Sequence, residues 1–295
     1  MGVSASQWRT AVARGRVRRI RPGVYTGASL PETAAEVHVE TAMADQRRFP
    51  GSVASHRTAA LVHNMPLVHP FDEDEPVALT RAPDRGLRSC NTPSLRVSLR
   101  PLPLGQVDHH PSGLAVTTPA RTAVDLAGEL PIEESLMLGD EVARRIAASL
   151  GGFPRGGLAE RDRRRMTRGL EAAVAAAATA RTLGRIESMV RLVDPRRESA
   201  LESLSFGHMV RCGLPRPELQ FPVQTEEGTR FADFAWPQFG VIGEADGEVK
   251  YSSRRQNWQE KRREDRLRRL GYRIVRWGWA DLRSDPDAVM LMLRS

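Results

Sequence analysis

Residues 230–251, RFADFAWPQFGVIGEADGEVKY, alternate apolar and acidic positions as two strands joined at Pro237 to Gly240 would. Side chains alternate along a strand, so Glu244 and Asp246 project to one face and Ala245 to the other. Asp233 falls on the neighbouring strand, and the short hairpin brings the three carboxylates together. Grouped carboxylates raise one another's pKa, and a bound hard cation relieves the repulsion. Magnesium suits such a site because it takes one or two carboxylates, keeps several waters and bridges to phosphate oxygens. The same residues also admit a plain structural account: Asp233 capping a turn, Asp246-Gly247 as a turn dipeptide, and Glu244 paired with one of the many arginines.

Outward from this hairpin the element order is clear. A helix over about 198–212 precedes the strands ELQFPVQ, TRFADFAWP and FGVIGEADG. A charged helix over about 253–270, the strand YRIVRWG and a final helix over 285–294 follow. Residues 196–295 thus predict an α/β domain of order αβββαβ. Between Arg254 and Arg276 ten Lys or Arg face three acids, and Arg254, Arg255, Lys261 and Arg262 are candidates for holding phosphates beside the carboxylates. Trp258, Trp277 and Trp279 are assigned to packing rather than to base stacking.

Upstream, residues 1–27 join a short helix pattern to RVRRIRPGVYTG, which reads as a two-stranded wing, with six arginines and no acid between Ser4 and Gly27. Residues 28–150 mix helical segments with the short strands PVALTRA, SLRVSLRPL and GLAVTTP. Residues 151–195 read as an Arg/Gly-rich linker leading into an Ala-rich helix over 170–193. The chain as a whole is predicted to be α/β, or α+β overall.

Composition bounds the partners. With 295 residues, 40% of them hydrophobic and 27% charged, the chain can bury real cores. The net charge of +8 rests on arginine, whose planar fork suits phosphate, so DNA is the expected partner. Cys90 and Cys212 are distant and lack neighbouring ligands, which argues against a disulfide framework and a zinc site, and fits a reducing cytoplasm. No apolar run is long enough for a membrane span, no small-molecule cofactor is called for, and the histidines, His109 and His110 included, lack ligand spacing. A cytoplasmic protein is expected, and a homodimer is compatible with the sequence.

FADFAWP followed by GVIGEADG resembles the restriction-endonuclease-like, or PD-(D/E)XK, fold in its very-short-patch-repair (Vsr)-like branch. KRREDRLRRLGYRIVRWGWADL is similar to the helix and strand that follow there. The resemblance covers residues 196–295. It implies a magnesium-dependent endonuclease in which Asp233 and Glu244 are metal ligands and the Ala245 carbonyl a third. Glu202, in SALESLSF, is then the helix acid. The family's Lys is here Asp246, and Lys250 is the nearby lysine able to reach back.

SQWRTAVARGRVRRIRPGVYTG resembles the recognition helix and wing of AbiEi-type antitoxins of type IV toxin–antitoxin systems, without the helices that normally precede them. SHRTAALVHNMPL and VTTPARTAVDLA are similar to later segments of actinobacterial proteins that combine both regions. By that resemblance Gln7, Arg9, Arg14 and Arg16 face a major groove, and Arg18, Arg19 and Arg21 lie on phosphates or in the minor groove. The alternative it implies is a non-catalytic transcriptional regulator of the antitoxin kind.

Overall fold

The computed structural model describes residues 4–21, 24–27, 33–72, 74–152, 159–225, 228–246 and 271–294. The chain is a mixed α/β protein of the α+β kind, as expected. It divides into two compact units, one of residues 1–126 and 172–179, the other of 127–171 and 180–295. The helix expected over 253–270 lies outside the described residues, as do Lys250, Arg254, Arg255, Trp258, Lys261 and Arg262. Among the described residues no helix is long and apolar enough to cross a membrane.

The first unit opens with α1 (Ala5–Ala13), started by a capping box in which the Ser4 hydroxyl accepts from the Gln7 amide and the Gln7 side chain accepts from the Ser4 amide. Gly15, at φ +64°, turns the chain into the antiparallel pair β1 (Val17–Arg21) and β2 (Val24–Gly27). Trp8 stacks on Tyr25 with centroids 4.5 Å apart, which fixes the helix on its hairpin. α2 (Ala34–Arg48) carries its own capping box at Thr33 and Glu36.

A six-stranded mixed sheet follows, in the order β5-β6-β4-β3-β8-β7. Its members are β3 (Ser52–Ala54), β4 (Val77–Arg81), β5 (Cys90–Thr92), β6 (Leu95–Leu99), β7 (Val107–His109) and β8 (Ala115–Thr117), with α3 (His56–Val62) and α4 (Pro119–Ala127) between and after them. Ala42, Ala54, Ala59, Leu79, Val97, Leu114 and Val116 form its core, because the period-two apolar positions of the strands meet the small residues of α2 and α3. The segments read as strands from sequence contain β4, β6 and β8. β3, β5 and β7 span three residues each, too few to show a period, and β8, equally short, is read only as part of GLAVTTP.

The second unit contains α5 (Ile132–Ser149), α7 (Leu183–Leu192) and α8 (Ala200–Arg211), and α6 (Glu160–Ala177) precedes α7. Sequence propensity suggested one Ala-rich helix over 170–193. The chain instead breaks between Ala177 and Leu183, and α7 buries Ile186 and Met189. The unit therefore includes elements that the sequence reading placed in 28–150 and 151–195. Gly207 of α8 sits so close to α5 that a Cβ there would meet the Glu133 Cα at 2.2 Å.

The sheet of this unit has the order β12-β11-β10-β9, with β9 (Glu218–Thr225), β10 (Gly228–Trp236), β11 (Val241–Ala245) and β12 (Arg273–Trp277). β9, β10 and β11 are antiparallel neighbours, whereas β11 and β12 run parallel. Two short helices close the chain, α9 (Trp279–Ser284) and α10 (Pro286–Arg294). Trp277 anchors the sheet to α8: its indole N–H donates to the Ser205 hydroxyl at 2.7 Å, and its ring stacks on Phe234. A Cβ on Gly243 would meet that ring at 2.8 Å, which is why a glycine interrupts the buried strand. Trp277 is a core residue, in keeping with the packing role assigned to it.

Candidate functional site

The β10–β11 ladder pairs Trp236 with Val241, Ala235 with Ile242 and Phe234 with Gly243, and then opens. One step further along the same register, Asp233 lies opposite Glu244. Asp233 fills the opening with its side chain: Oδ2 accepts from the Ala245 amide at 2.9 Å. The other flank of Asp233 is irregular too. Its β9 neighbour Gln220 is missing from an otherwise continuous ladder and holds φ at +51°, a left-handed conformation that costs a non-glycine residue about 1–2 kcal/mol. The backbone is thus distorted on both sides of this one carboxylate. Gln220 was not singled out in the sequence, since backbone strain leaves no mark in composition or period.

The electrostatics are as unusual as the backbone. Burial, followed by the charge of Glu202 and then by those of Glu244 and Asp246, pushes the Asp233 carboxyl from its ordinary 3.8 up to about 7, although the Ala245 hydrogen bond opposes the shift. Three of the acids named from the sequence, Glu202, Glu244 and Asp246, thus act on the fourth. Glu202 stands in the first turn of α8, capped by Ser199, whose hydroxyl accepts from the Glu202 amide at 3.1 Å. The Glu202 carboxylate accepts from the Glu198 amide at 2.9 Å. Burial raises the pKa of Glu202 as well, against the pull of these hydrogen bonds. Glu202 thus has a capping role that needs no catalysis, and it also lends charge to Asp233.

Glu244 is buried to 5% exposure, and the parallel register with β12 places Arg276 directly beside it. The Arg276 Nε donates to Glu244 Oε2 at 2.9 Å and lies 3.7 Å from Asp246 Oδ2. Pairing of Glu244 with an arginine was one of the readings left open by the sequence. Arg276 itself was counted there only as part of a basic stretch, because the register of a parallel strand reached through a long connection cannot be read from spacing. Asp246 is half exposed at the end of β11, where its amide donates to the Trp277 carbonyl.

Whether these residues suit a magnesium ion can be judged from their donors. All are oxygens, and Asp233 is raised by burial first and by three neighbouring acids after it, so the set fits a hard cation in kind. It is not preassembled: among the described residues no group of three or more His, Cys, Asp or Glu side chains is arranged to hold a metal ion. Asp233 Oδ2 is engaged by Ala245, and Glu244 by Arg276.

At the N-terminal hairpin the arginines separate into two kinds. Arg21 grips the fully buried carboxylate of Asp45 through both Nε and Nη2 and also donates to the Ser94 carbonyl. Arg18 pairs with Glu40. These two clamp the hairpin to α2. Gln7 is likewise occupied by its helix cap. Arg9, Arg14, Arg16 and Arg19 are exposed.

No family model matches the chain, and no solved structure matches it. It is similar to two uncharacterized proteins of Mycobacterium tuberculosis, Rv2248 of strain ATCC 25618 / H37Rv and MT2308 of strain CDC 1551 / Oshkosh. Each is 29% identical over 236 residues, covering 80% of this chain and 77% of the relative.

Proposed function

We propose that this chain is a cytoplasmic DNA-binding protein whose C-terminal unit is of the PD-(D/E)XK kind and hydrolyses phosphodiester bonds with magnesium. The observation that carries this reading is the convergence on Asp233. A carboxylate at the opening of two adjacent strands, flanked by a strained residue, is held at a pKa of about 7 by burial and three neighbouring acids. A magnesium ion bound there would supply an activated water and neutralise charge on the phosphate. Asp233 and Glu244 are the residues that would hold it, together with the Ala245 carbonyl. Asp246 supports Glu244, and Glu202 maintains the negative field around Asp233. The exposed Arg9, Arg14, Arg16 and Arg19 provide phosphate contacts on the first unit.

The test is incubation of the purified chain with supercoiled and linear DNA in magnesium, manganese or EDTA, beside Asp233→Ala. Metal-dependent nicking that disappears in the variant, with DNA affinity retained, is the expected outcome. Nicking that survives in Asp233→Ala sinks the assignment of the site.

The second reading is the antitoxin-type regulator, in which the nuclease-like unit serves as scaffold. Asp246 at the family's lysine position and the engagement of Glu244 by Arg276 favour it. It predicts sequence-specific binding near its own promoter without metal dependence, and cleavage of none of the DNAs above.

A further inference from the structure

Arg276 occupies the carboxylates that a cation would need. Its guanidinium sits on Glu244 at 2.9 Å and beside Asp246 at 3.7 Å, held there by the β11–β12 register rather than by a flexible loop. The two sides of the pair differ in exposure: the Glu244 side chain is 6% exposed and that of Arg276 is 30% exposed. The acid is fixed inside, while the arginine is the partner that can swing towards water. A divalent cation brought onto the same carboxylate would stand within a few Å of the guanidinium, and the two positive charges repel. A buried carboxylate left without any cation is strongly unfavourable. The two cations therefore compete for the same negative charge.

We propose that Arg276 is a positioning residue that acts as the resident counter-ion of this site. It holds Glu244 and Asp246 in place when no metal is bound and competes with the divalent ion for them, so that metal affinity is set by the release of Arg276. The proposal rests on the reading that these carboxylates bind a divalent cation. It also gives a physical account of Asp246 in place of the family's lysine: the positive charge beside the second acid comes from the neighbouring strand instead.

The experiment is calorimetric titration of the full chain with Mn2+, for the wild type, Arg276→Gln, Arg276→Lys and Glu244→Gln. Thermal melts in EDTA and in Mn2+, and DNA nicking by the wild type, accompany it. With the repelling charge removed, Arg276→Gln is expected to bind Mn2+ more tightly than the wild type, by about tenfold for a repulsion of about 1.4 kcal/mol. It should also melt lower in EDTA and gain more from the metal, with Arg276→Lys between the two and Glu244→Gln losing the binding. Should Arg276→Gln prove too unstable to purify, the Lys variant still decides, since a compact ammonium holds the carboxylate less well than the fork does. Unchanged or weaker Mn2+ affinity in the Arg276 variants overturns the inference, and if the wild type still nicks DNA the nuclease reading survives it. Absence of Mn2+ binding in every protein, with no nicking, overturns both.

Discussion

Two groups of buried charge lie in the same unit and are built on opposite terms. At the junction of α5 and α8, Asp140 receives Arg197 through Nε at 2.5 Å and Nη2 at 2.7 Å and also accepts from the Asp194 amide. The Arg197 guanidinium stacks over Phe206 at 4.2 Å. Asp194 is held by Arg196 at 2.8 Å. Burial acts to raise its pKa, yet the Arg196 hydrogen bond and the charges of Arg197 and Arg196 bring it below its ordinary value. Each acid there has its cation. At the β10–β11 opening, by contrast, Asp233 feels three acids and a raised pKa, and the cation present serves Glu244 and Asp246 instead. Matched burial describes a structural joint, and mismatched burial is the pattern on which the proposed cation site rests.

The largest expected effect tests the matched group. Asp140→Ala leaves Arg197 buried at 0% exposure without its partner, a loss of about 3–5 kcal/mol that denaturant unfolding would register. A loss under about 1 kcal/mol would show that the joint is not what holds α8, and with it Glu202, in place.

A smaller effect of opposite sign is expected at the mismatched group. Folded Asp233 keeps its proton to about pH 7, whereas the unfolded chain releases it near 3.8, so the contribution of this group to stability is full below about pH 4 and falls as pH rises to about 7. Asp233→Asn cannot titrate and still offers an oxygen to the Ala245 amide. Above pH 7 it should exceed the wild type by on the order of 2–3 kcal/mol. The full shift at about 1.4 kcal/mol per unit would give more, but Asp233 remains partly open to water. Below pH 4 the two should coincide. A constant difference across that range would mean that the Asp233 carboxyl is not elevated, and the contrast between the two groups would collapse.

The sequence revealed these regions unequally. Asp233, Glu244 and Asp246 were legible because strand alternation and a short hairpin are local rules, and the strands bearing them lie where the pattern put them. Arg276 and Gln220 were not. One acquires its meaning from a parallel register set across a long connection, the other from a dihedral angle. The joint around Asp140 was equally silent, since 57 residues separate Asp140 from Arg197 and neither stands in a recognisable motif. At the N-terminus the arginine run was legible as charge, but sequence could not divide the clamps, Arg18 and Arg21, from the exposed arginines. That division depends on Glu40 and Asp45 of a helix further along the chain.

Glu202 belongs to both descriptions, and two substitutions separate them. Ser199→Ala removes the hydroxyl that caps α8 at the Glu202 amide, a loss of about 1 kcal/mol that should be nearly the same at every pH because no charge is altered. Glu202→Gln keeps an oxygen for the Glu198 amide but deletes the neighbouring charge that contributes most to the elevation of Asp233. The pKa of Asp233, followed by NMR on labelled carboxyls, should fall. The decline of stability between about pH 4 and pH 7 should become shallower, both for that reason and because Glu202 itself no longer titrates from a raised value. If Glu202→Gln instead behaves as Ser199→Ala does, with a uniform loss and an unmoved Asp233, then Glu202 is a helix cap alone. The mismatched group would shrink to the β10–β11 hairpin, where Arg276 already supplies a cation.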